Sequence, residues 1–377
     1  MLEYQGKHNK ATVMVDSIDP ATVSQIFSFL NHPAFAEGRI VVMPDCHAGK
    51  GSCIGFTAPL GGMVIPNVVG VDIGCGMAAV PLPDGDIDFE KFDEVIRRRV
   101  PYGFRVHETP DENLEWLRSE EAEAFLDLSC RVGQKPGWAI ESLGTLGGGN
   151  HFIEVDEASP GNRWMVVHSG SRNLGLCVAE YHQAIARKNF DGIGGVPKGL
   201  EYLEGDEAAA YVEDMRLAQQ YAEVNRLFIL CRVLDDMFGI PWSSVSGSVV
   251  LCAHNFISPD DGIIRKGAIS AHWGEKVVIP LNMRDGIIFG TGKGNEEWNW
   301  SAPHGAGRLM SRGKAERTLS VEDFEKEMEG VWTSCVGRST LDEAPGAYKS
   351  SEAILDVIHE TVEVDFVAKP VYNFKAS

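Results

Sequence analysis

The sequence predicts a large α/β fold in which many short strands are surrounded by helices. Three observations carry that reading. Short apolar runs such as Arg39 to Met43 (RIVVM), Trp164 to His168 (WMVVH) and Ser248 to Ala253 (SVVLCA) are bounded by turn residues, as buried strands are. Asp206 to Phe238 carries apolar residues at helical spacing over about nine turns. No internal repeat, low-complexity tract or linker-like shift divides the 377 residues, so 1–377 reads as one domain with a helical excursion at about 179–240.

The elements follow in order. The strand at Arg39 to Met43 is expected to end at Pro44, which has no N–H for a ladder. Met63 to Ile65, Val68 to Val71 and Met77 to Val80 read as further short strands between glycine turns. Phe89 to Val100 reads as a helix stopped by Pro101, and Asp111 to Val132 as a second helix. Within 206–238, Tyr211, Met215, Ala218 and Ala222 form one stripe. After a break, Val224, Leu227, Cys231, Leu234 and Phe238 resume an apolar face, which fits one or two amphipathic helices. Val277 to Ile279 and Gly286 to Phe289 are expected strands, Ser311 to Gly313 a turn, and Ser320 the cap of a helix reaching Val331. In the tail, Val362, Val364 and Phe366 alternate with Glu363 and Asp365, the period of a half-buried strand.

Composition bounds the function. Hydrophobic residues at 44% and charged residues at 23% allow a large core and exclude global disorder. Acidic residues number 54 and basic ones 34, a net charge of −20. A surface evenly coated with that charge repels a polyanion, so nucleic-acid chemistry here requires a local basic or metal-charged site. No window approaches the roughly 18–20 apolar residues of a membrane span, and Met1 to Lys10 lacks the apolar core of a signal peptide. Eight cysteines are too few for a disulfide scaffold, so the expectation is a cytoplasmic protein whose thiols are free to bind metal.

Glycine is the informative residue. The 41 glycines mass at 49–76, 144–149, 286–294 and 305–307, beside His, Asp and Cys, where backbone can approach a phosphate-bearing ligand closely. Six segments carry the chemistry: MPDCHAGKG (Met43 to Gly51), VGVDIGCG (Val69 to Gly76), GTLGGGNHFIE (Gly144 to Glu154), VVHSGSR (Val166 to Arg172), LCAHN (Leu251 to Asn255) and SAPHGAGR (Ser301 to Arg308). In the second, a glycine turn can aim the hard oxygen of Asp72 and the soft sulfur of Cys75 at one point. His151, His168 and His254 each stand at a strand or loop end, and with Asp72 and Cys75 they suffice for one or two metal sites. Ligand type alone leaves zinc, manganese and iron open.

His304 lies where a helix could begin near Leu309 and Met310, with small residues at 305–307 exposing N–H groups to an anion. That makes it a candidate nucleophile or general acid/base. Asp45 and His47 form another polar cluster, and Lys50 in its glycine loop could meet phosphate. Neither a Walker A loop nor K-x-D-G is present. Arg97 to Arg99, Arg187–Lys188 and Arg312 to Arg317 read as solvated basic faces.

Taken together, from about Val41 onward, the sequence resembles the RtcB family of RNA ligases. GTLGGGNHFIE, VVHSGSR, RKGAISA (Arg265 to Ala271), HGAGRLMSR (His304 to Arg312) and DEAPGAYK (Asp342 to Lys349) carry the resemblance. It implies an α/β (α+β) domain with a layered β-sheet core, surrounding helices and a central metal-bearing cleft. It implies a ligase, in RNA repair or tRNA splicing, that uses GTP and two Mn2+ ions to join RNA 3′-phosphate or 2′,3′-cyclic phosphate ends to 5′-hydroxyl ends. The guanylylated residue falls on His304, and RNA(3′)pp(5′)G is the intermediate. The metal ligands fall on Asp72, Cys75, His151, His168 and His254, with Cys75 as the bridge. Nucleotide contacts fall on Asn150, His151, Phe152, Ile153, Glu154, His254 and Asn255, on Pro280, Leu281, Asn282 and Met283, and on His304, Gly305, Ala306 and Gly307. Tyr348 would stack on guanine, and Lys375 matches the family's terminal lysine.

Two departures mark a divergent, short branch. Where members read G-S-M-G after Ile-Pro, this chain has Leu281-Asn282-Met283-Arg284-Asp285-Gly286, and Lys375 is followed by Ala376 and Ser377 rather than Gly. Two other functions use part of the same residue set. A metal-dependent RNA-end phosphatase or cyclic phosphodiesterase needs the metals but not His304. A non-catalytic RNA-end binder has no need of all five ligands. The expected partners are RNA and GTP, with no membrane; an activating protein is left open.

Overall fold

The computed structural model describes residues 1–108, 116, 119–191 and 195–376, and the architecture is mixed α/β. One sheet runs in the order Leu2–Gln5, Lys10–Val13, Ile40–His47, Ile54–Pro59, Ile263–Lys266 and Asn255–Ile257, antiparallel except where Lys10–Val13 meets Ile40–His47. The other runs Val250–Ala253, Gly76–Pro81, Asn162–Ser169, Phe152–Ser159, Val362–Lys375, Gly286–Gly292 and Lys276–Asn282, antiparallel throughout. The edge strands of this second sheet approach each other, for the Val278 N–H donates to Cys252 Sγ at 3.3 Å.

Strand alternation sorts the second sheet. Ile153, Val155, Met165 and Val167 point to a face packed with Phe92, Ile96, Ile229, Leu230, Val233 and Leu234. Each such side chain contributes about 1.5–3 kcal/mol on burial. Phe152, Glu154 and Asp156 therefore face the other way, toward the cleft described below. The first sheet packs on the helices Pro20–Leu30, Glu120–Arg131, Arg172–Asn189 and the first half of Gly205–Phe238.

Several expectations are corrected. The strand expected to stop at Pro44 continues to His47, because its pairing with Ile54–Pro59 breaks register between Val42 and His47 and asks no N–H of the proline. Val68 to Val71 is not a strand. Pro66 occupies the first turn of the short helix Pro66–Val69, where its fixed φ is favourable, and Gly70 closes the turn at φ 83°. The helix expected over Asp111 to Val132 begins at Glu120, where Ser119 Oγ accepts the Ala122 N–H at 3.2 Å. Positions 111–115, 117 and 118 of that span lie outside the described residues. Ser311 to Gly313 opens a helix, Arg312–Thr318, instead of a turn. Ser320 does cap a helix, but it ends at Glu327 rather than Val331. The helix expected to begin near Leu309 and Met310 starts at Arg312, two residues later, and Arg308 between it and His304 pairs with Tyr348 as an extended bridge.

The long pattern at 206–238 is one helix of 34 residues, Gly205–Phe238, preceded by a helix that starts at Arg172, earlier than 179. Its buried face is continuous through Ala218, Ala222, Asn225, Arg226, Ile229 and Val233. The apparent break was two polar residues whose partners lie far off in the chain. The tail forms the 14-residue strand Val362–Lys375, interior to the second sheet. Among the described residues no helix is long and apolar enough to cross a membrane.

Candidate metal centre and adjoining cleft

Strand pairing assembles five donor residues from distant segments. Asp72 and Cys75 sit on the turn before Gly76–Pro81. That strand pairs with Asn162–Ser169, which carries His168, and His151 immediately precedes Phe152–Ser159 on the other side. His254 follows Val250–Ala253, and its backbone N–H donates to the Cys75 carbonyl at 2.8 Å. The donor atoms form two triplets, Asp72/Cys75/His151 and Cys75/His168/His254, each within 4.8 Å and both including Cys75. Cys75 Sγ lies 3.2 Å from His168 Nε2 and 3.5 Å from His151 Nε2. His168 Nε2 is 3.4 Å from His254 Nε2, and His151 Nε2 is 3.3 Å from Asp72 Oδ2.

The donor chemistry fits divalent metal ions. His151 Nδ1–H donates to the Leu146 carbonyl at 2.8 Å and His168 Nδ1–H to the Asn150 carbonyl at 3.1 Å, which leaves both Nε2 lone pairs facing the cluster. Burial lowers His168 and His254 well below the ordinary imidazole value and keeps both rings neutral, the form a ligand requires. Burial and the neighbouring Asp72 raise the Cys75 thiol, while Arg226 and Lys266 oppose that rise. Asp72 is half-buried, and although burial pushes its carboxyl upward, His151 and Cys75 hold it well below the usual range.

Buried polar residues brace the loops that carry these donors. Asn225 Oδ1 accepts the N–H groups of Gly144 and Thr145 at 2.8 and 3.1 Å. Its Nδ2 donates to Thr145 O, Ser169 Oγ and Gly170 O at 3.1, 3.0 and 3.2 Å. Arg226 Nη1 donates to Gly74 O at 2.7 Å and Ser169 O at 2.9 Å. Lys266 Nζ donates to Val69 O at 2.8 Å. Asn255 Nδ2 donates to Asp72 O at 3.1 Å, and its Oδ1 accepts the Gly267 N–H at 3.0 Å. A side chain at Gly170 would collide with the Asp72 carboxylate, so glycine there lets the donor come close.

The ring of His304 packs 4.8 Å from that of His254, at the end of a row formed with His168 and His151. Asp45, wholly buried, accepts His304 Nδ1–H at 2.5 Å and the His304 backbone N–H at 3.1 Å on one carboxylate oxygen. This bond selects the tautomer whose Nε2 keeps its lone pair. Lys349 Nζ donates to Pro44 O and Cys46 O, each at 2.9 Å, and holds the strand on both sides of Asp45. Sequence reasoning noted Asp45 only as a polar neighbour of His47, and the pairing with His304 spans 259 positions. His47 Nδ1–H donates to Asp45 O at 3.0 Å, and Lys50 stands exposed, away from the cleft.

A cleft opens beside His304. Asn150, Phe152, Glu154, Pro280, Leu281, Asn282, Met283, Gly305, Ala306, Tyr348 and Lys375 line it with His304, as do His168, Glu343 and Asn373. Five positions expected to touch a nucleotide do not line it. Ile153 packs into the opposite face, and Asn255 braces the Asp72 turn. Gly307 abuts the Asp45 backbone, and His254 stays in the metal cluster, as does His151. Arg284 turns away to pair with Asp285 at 2.8 Å and Glu327 at 3.5 Å. Asn282 Oδ1 accepts the N–H groups of Arg284 and Asp285 at 3.0 and 2.9 Å.

Glu343 was not singled out from sequence, though it lies within DEAPGAYK. It is buried and meets Lys375 Nζ at 2.9 Å, Arg308 at 3.1 Å, Tyr348 Oη–H at 2.5 Å, and Arg312. Burial alone would raise its carboxyl, but Lys375 and Arg312 hold it down at about 2. Asn373, which donates to Glu154, was also missed, because only strand pairing puts it opposite Glu154. Burial raises Glu154 to about 7 against the pull of Asp156, Asn373 and Lys375, and burial beside Glu154 raises Asp156 well above the carboxylate range. The Asn150 carbonyl accepts from both His168 Nδ1 and Lys375 Nζ, the latter at 3.2 Å, and so links the metal cluster to the cleft.

The family model described as tRNA-splicing ligase RtcB matches residues 25–376. The RNA-splicing ligase RtcB of Escherichia coli (strain K12) is 33% identical over 368 residues, with 89% of this chain and 90% of that protein covered. The tRNA-splicing ligases RtcB of Aeropyrum pernix and Methanococcus maripaludis are each 27% identical, with 85% of this chain and 84% of either protein covered.

Proposed function

The chain belongs to the RtcB family, and from that membership we propose that it is an RNA ligase using GTP and Mn2+ to join RNA 3′-phosphate or 2′,3′-cyclic phosphate ends to 5′-hydroxyl ends. One observation carries the reading. A histidine with its Nδ1–H fixed on a buried carboxylate abuts a cluster of metal-type donors and lines an adjoining cleft. Asp45 orients the ring and stabilises the positive charge that grows on it as Nε2 attacks, much as the carboxylate of a catalytic triad does.

Asp72, Cys75, His151, His168 and His254 would hold two ions, with Cys75 shared between them. Bound there, they would neutralise phosphate charge. His304 Nε2 forms a P–N bond to the α-phosphate of GTP as the bond to pyrophosphate breaks. Water opens a 2′,3′-cyclic end to a 3′-phosphate and a 2′-hydroxyl, and the RNA 3′-phosphate then displaces the histidine, giving RNA(3′)pp(5′)G. Finally the 5′-hydroxyl attacks the former 3′-phosphate, GMP leaves and a 3′,5′-phosphodiester remains. Glu154, Lys375 and Tyr348 line the cleft where the base would bind, with Lys375 and Tyr348 held by Glu343.

Incubation with labelled GTP and Mn2+ tests the proposal. Acid-labile, protein-bound GMP is expected from the native chain and none from His304→Ala. A chain that processes RNA ends without forming the adduct would refute the covalent-histidine mechanism.

A further inference from the structure

Beside the metal cluster the backbone forms a shelf without side chains. Gly147, Gly148 and Gly149 lead directly into Asn150 and His151. A side chain at Gly147 would strike the Arg172 guanidinium and the His151 ring, whereas one at Gly148 would meet only Gly103 Cα, at 3.8 Å. The turn at Tyr102 to Arg105 is fastened to this shelf. Tyr102 bridges to Gly147, Gly103 N–H donates to Gly147 O at 2.7 Å, and Arg172 Nη2 donates to Gly103 O at 3.0 Å. Arg172 adopts φ 55°, a conformation that non-glycine residues rarely hold.

On this pinned base Phe104 is fully exposed, at 101%. The exposed Arg105 guanidinium lies 3.9 Å over the Tyr102 ring. Arg312, 43% exposed, flanks the shelf at Gly149. A scattered apolar side chain on a surface is ordinary. This ring differs in standing on backbone tied to the loop that carries His151, with the exposed Arg105 guanidinium beside it and Arg312, ion-paired with Asp342 and Glu343, by Gly149, in a chain of net charge −20.

We propose that Phe104 is a stacking platform for a nucleobase of single-stranded RNA close to the joint, with the RNA phosphates running along the glycine shelf between Arg105 and Arg312. The proposal rests on the RNA-ligase reading for its choice of ligand. Every base has a π face, so such a ring accepts any sequence, and the adjacent Arg105 guanidinium neutralises a flanking phosphate. The missing side chains at Gly148 and Gly149 leave room for a sugar-phosphate backbone to lie against the loop, while buried Gly147 makes room for Arg172 and His151. The platform lies outside the cleft beside His304, so it serves RNA docking and leaves GMP loading untouched.

Fluorescence anisotropy of a labelled single-stranded RNA ending in 3′-phosphate, measured on the full chain with Mn2+, tests the platform. Phe104→Ala should weaken binding about 5–150-fold, the range expected for one lost base stack. Phe104→Trp should bind within about twofold of the native chain. Arg105→Ala should lower the salt slope by roughly 0.7, one phosphate of a single strand. Protein-bound GMP formed from labelled GTP should be unchanged in Phe104→Ala. Unchanged RNA affinity in Phe104→Ala, or equal weakening in the Ala and Trp variants, overturns the proposal, and the first result would favour a protein partner for the exposed ring. The two readings fail separately. A native chain that forms the adduct and ligates, beside a Phe104→Ala variant of unaltered RNA affinity, removes the platform alone. A native chain that takes no GMP, while Phe104→Ala still loses RNA affinity, removes the ligase mechanism and keeps the RNA surface.

Discussion

Replacing Asn225 by Ala would show how far the long helix shapes the metal centre. The change removes five hydrogen bonds and leaves the N–H groups of Gly144 and Thr145 without their side-chain acceptor. A buried donor so stranded costs about 1–3 kcal/mol, which for two gives about 4 kcal/mol. At an unfolding entropy of about 2.1 cal/mol/K per residue, that corresponds to a fall of about 5 °C in Tm for a chain of this length. The consequence for the metal ligands is separate. Gly144 and Thr145 open the loop leading to His151, and Ser169 and Gly170 follow His168. Loosening partners of this kind typically costs 10–100-fold in metal affinity. Calorimetric titration of metal-free protein with MnCl2, beside thermal melts, reads both effects. Asn225→Asp keeps the acceptor, loses the donors and should fall between. Arg216→Ala, on the exposed side of the same helix, should change Tm by less than about 1 °C. An Asn225→Ala variant that melts lower yet binds Mn2+ within twofold of the native chain would show that the helix supports the fold without shaping the site.

Three further perturbations probe the same arrangement. Cys75→Ala should reduce bound Mn2+ from two ions to at most one and abolish the GMP adduct, because both donor triplets share that sulfur; elemental analysis showing two retained ions would contradict the assignment. Asp45→Ala should slow GMP attachment about 10²–10⁴-fold, the scale of losing a histidine-orienting carboxylate. It should still seal RNA that already carries the 3′-diphosphate-guanosine end, and single-turnover assays on both substrates separate the steps. Burial raises the Glu154 carboxyl from 4.5 to about 7. A raised acid contributes stability that is fully present below its unfolded value and is lost as pH climbs through its folded value. The native chain should therefore lose stability relative to Glu154→Gln between about pH 4.5 and 7, and a Tm difference that stays flat across that window would refute the buried-acid reading.

The donor types and their local settings were legible in the sequence because they depend on neighbours a few positions away. Asp72 and Cys75 on one glycine turn, histidines at strand ends and the small residues after His304 are all short-range patterns. The same holds for the cap at Ser320 and the paired termini of Phe89–Arg99, where Asp88 caps and Val100 ends the helix before Pro101. Short-range reading failed where a longer contact outweighed propensity. Pro44 could remain in a strand because a register break released it from the ladder. Asn225 and Arg226 interrupted an apolar stripe because their hydrogen-bond partners lie 55–152 positions away. No window of sequence contains the partner that makes burying such a group favourable.

The sequence by itself determined which atoms were available: a thiol, carboxylates, imidazoles and flexible glycine backbone, in a chain whose net charge excludes a broadly basic surface. Tertiary structure alone decided which of them meet. It placed Cys75 in both donor triplets, set Asp45 on His304 Nδ1, gathered Lys375, Arg308, Arg312 and Tyr348 around Glu343, and turned Arg284 out of the cleft. These contacts depend on strand register and on the packing of elements far apart in the chain. A shift of one residue in a strand sends every side chain to the other face, so the same letters in another register would leave Glu154 in the core and Ile153 facing the cleft.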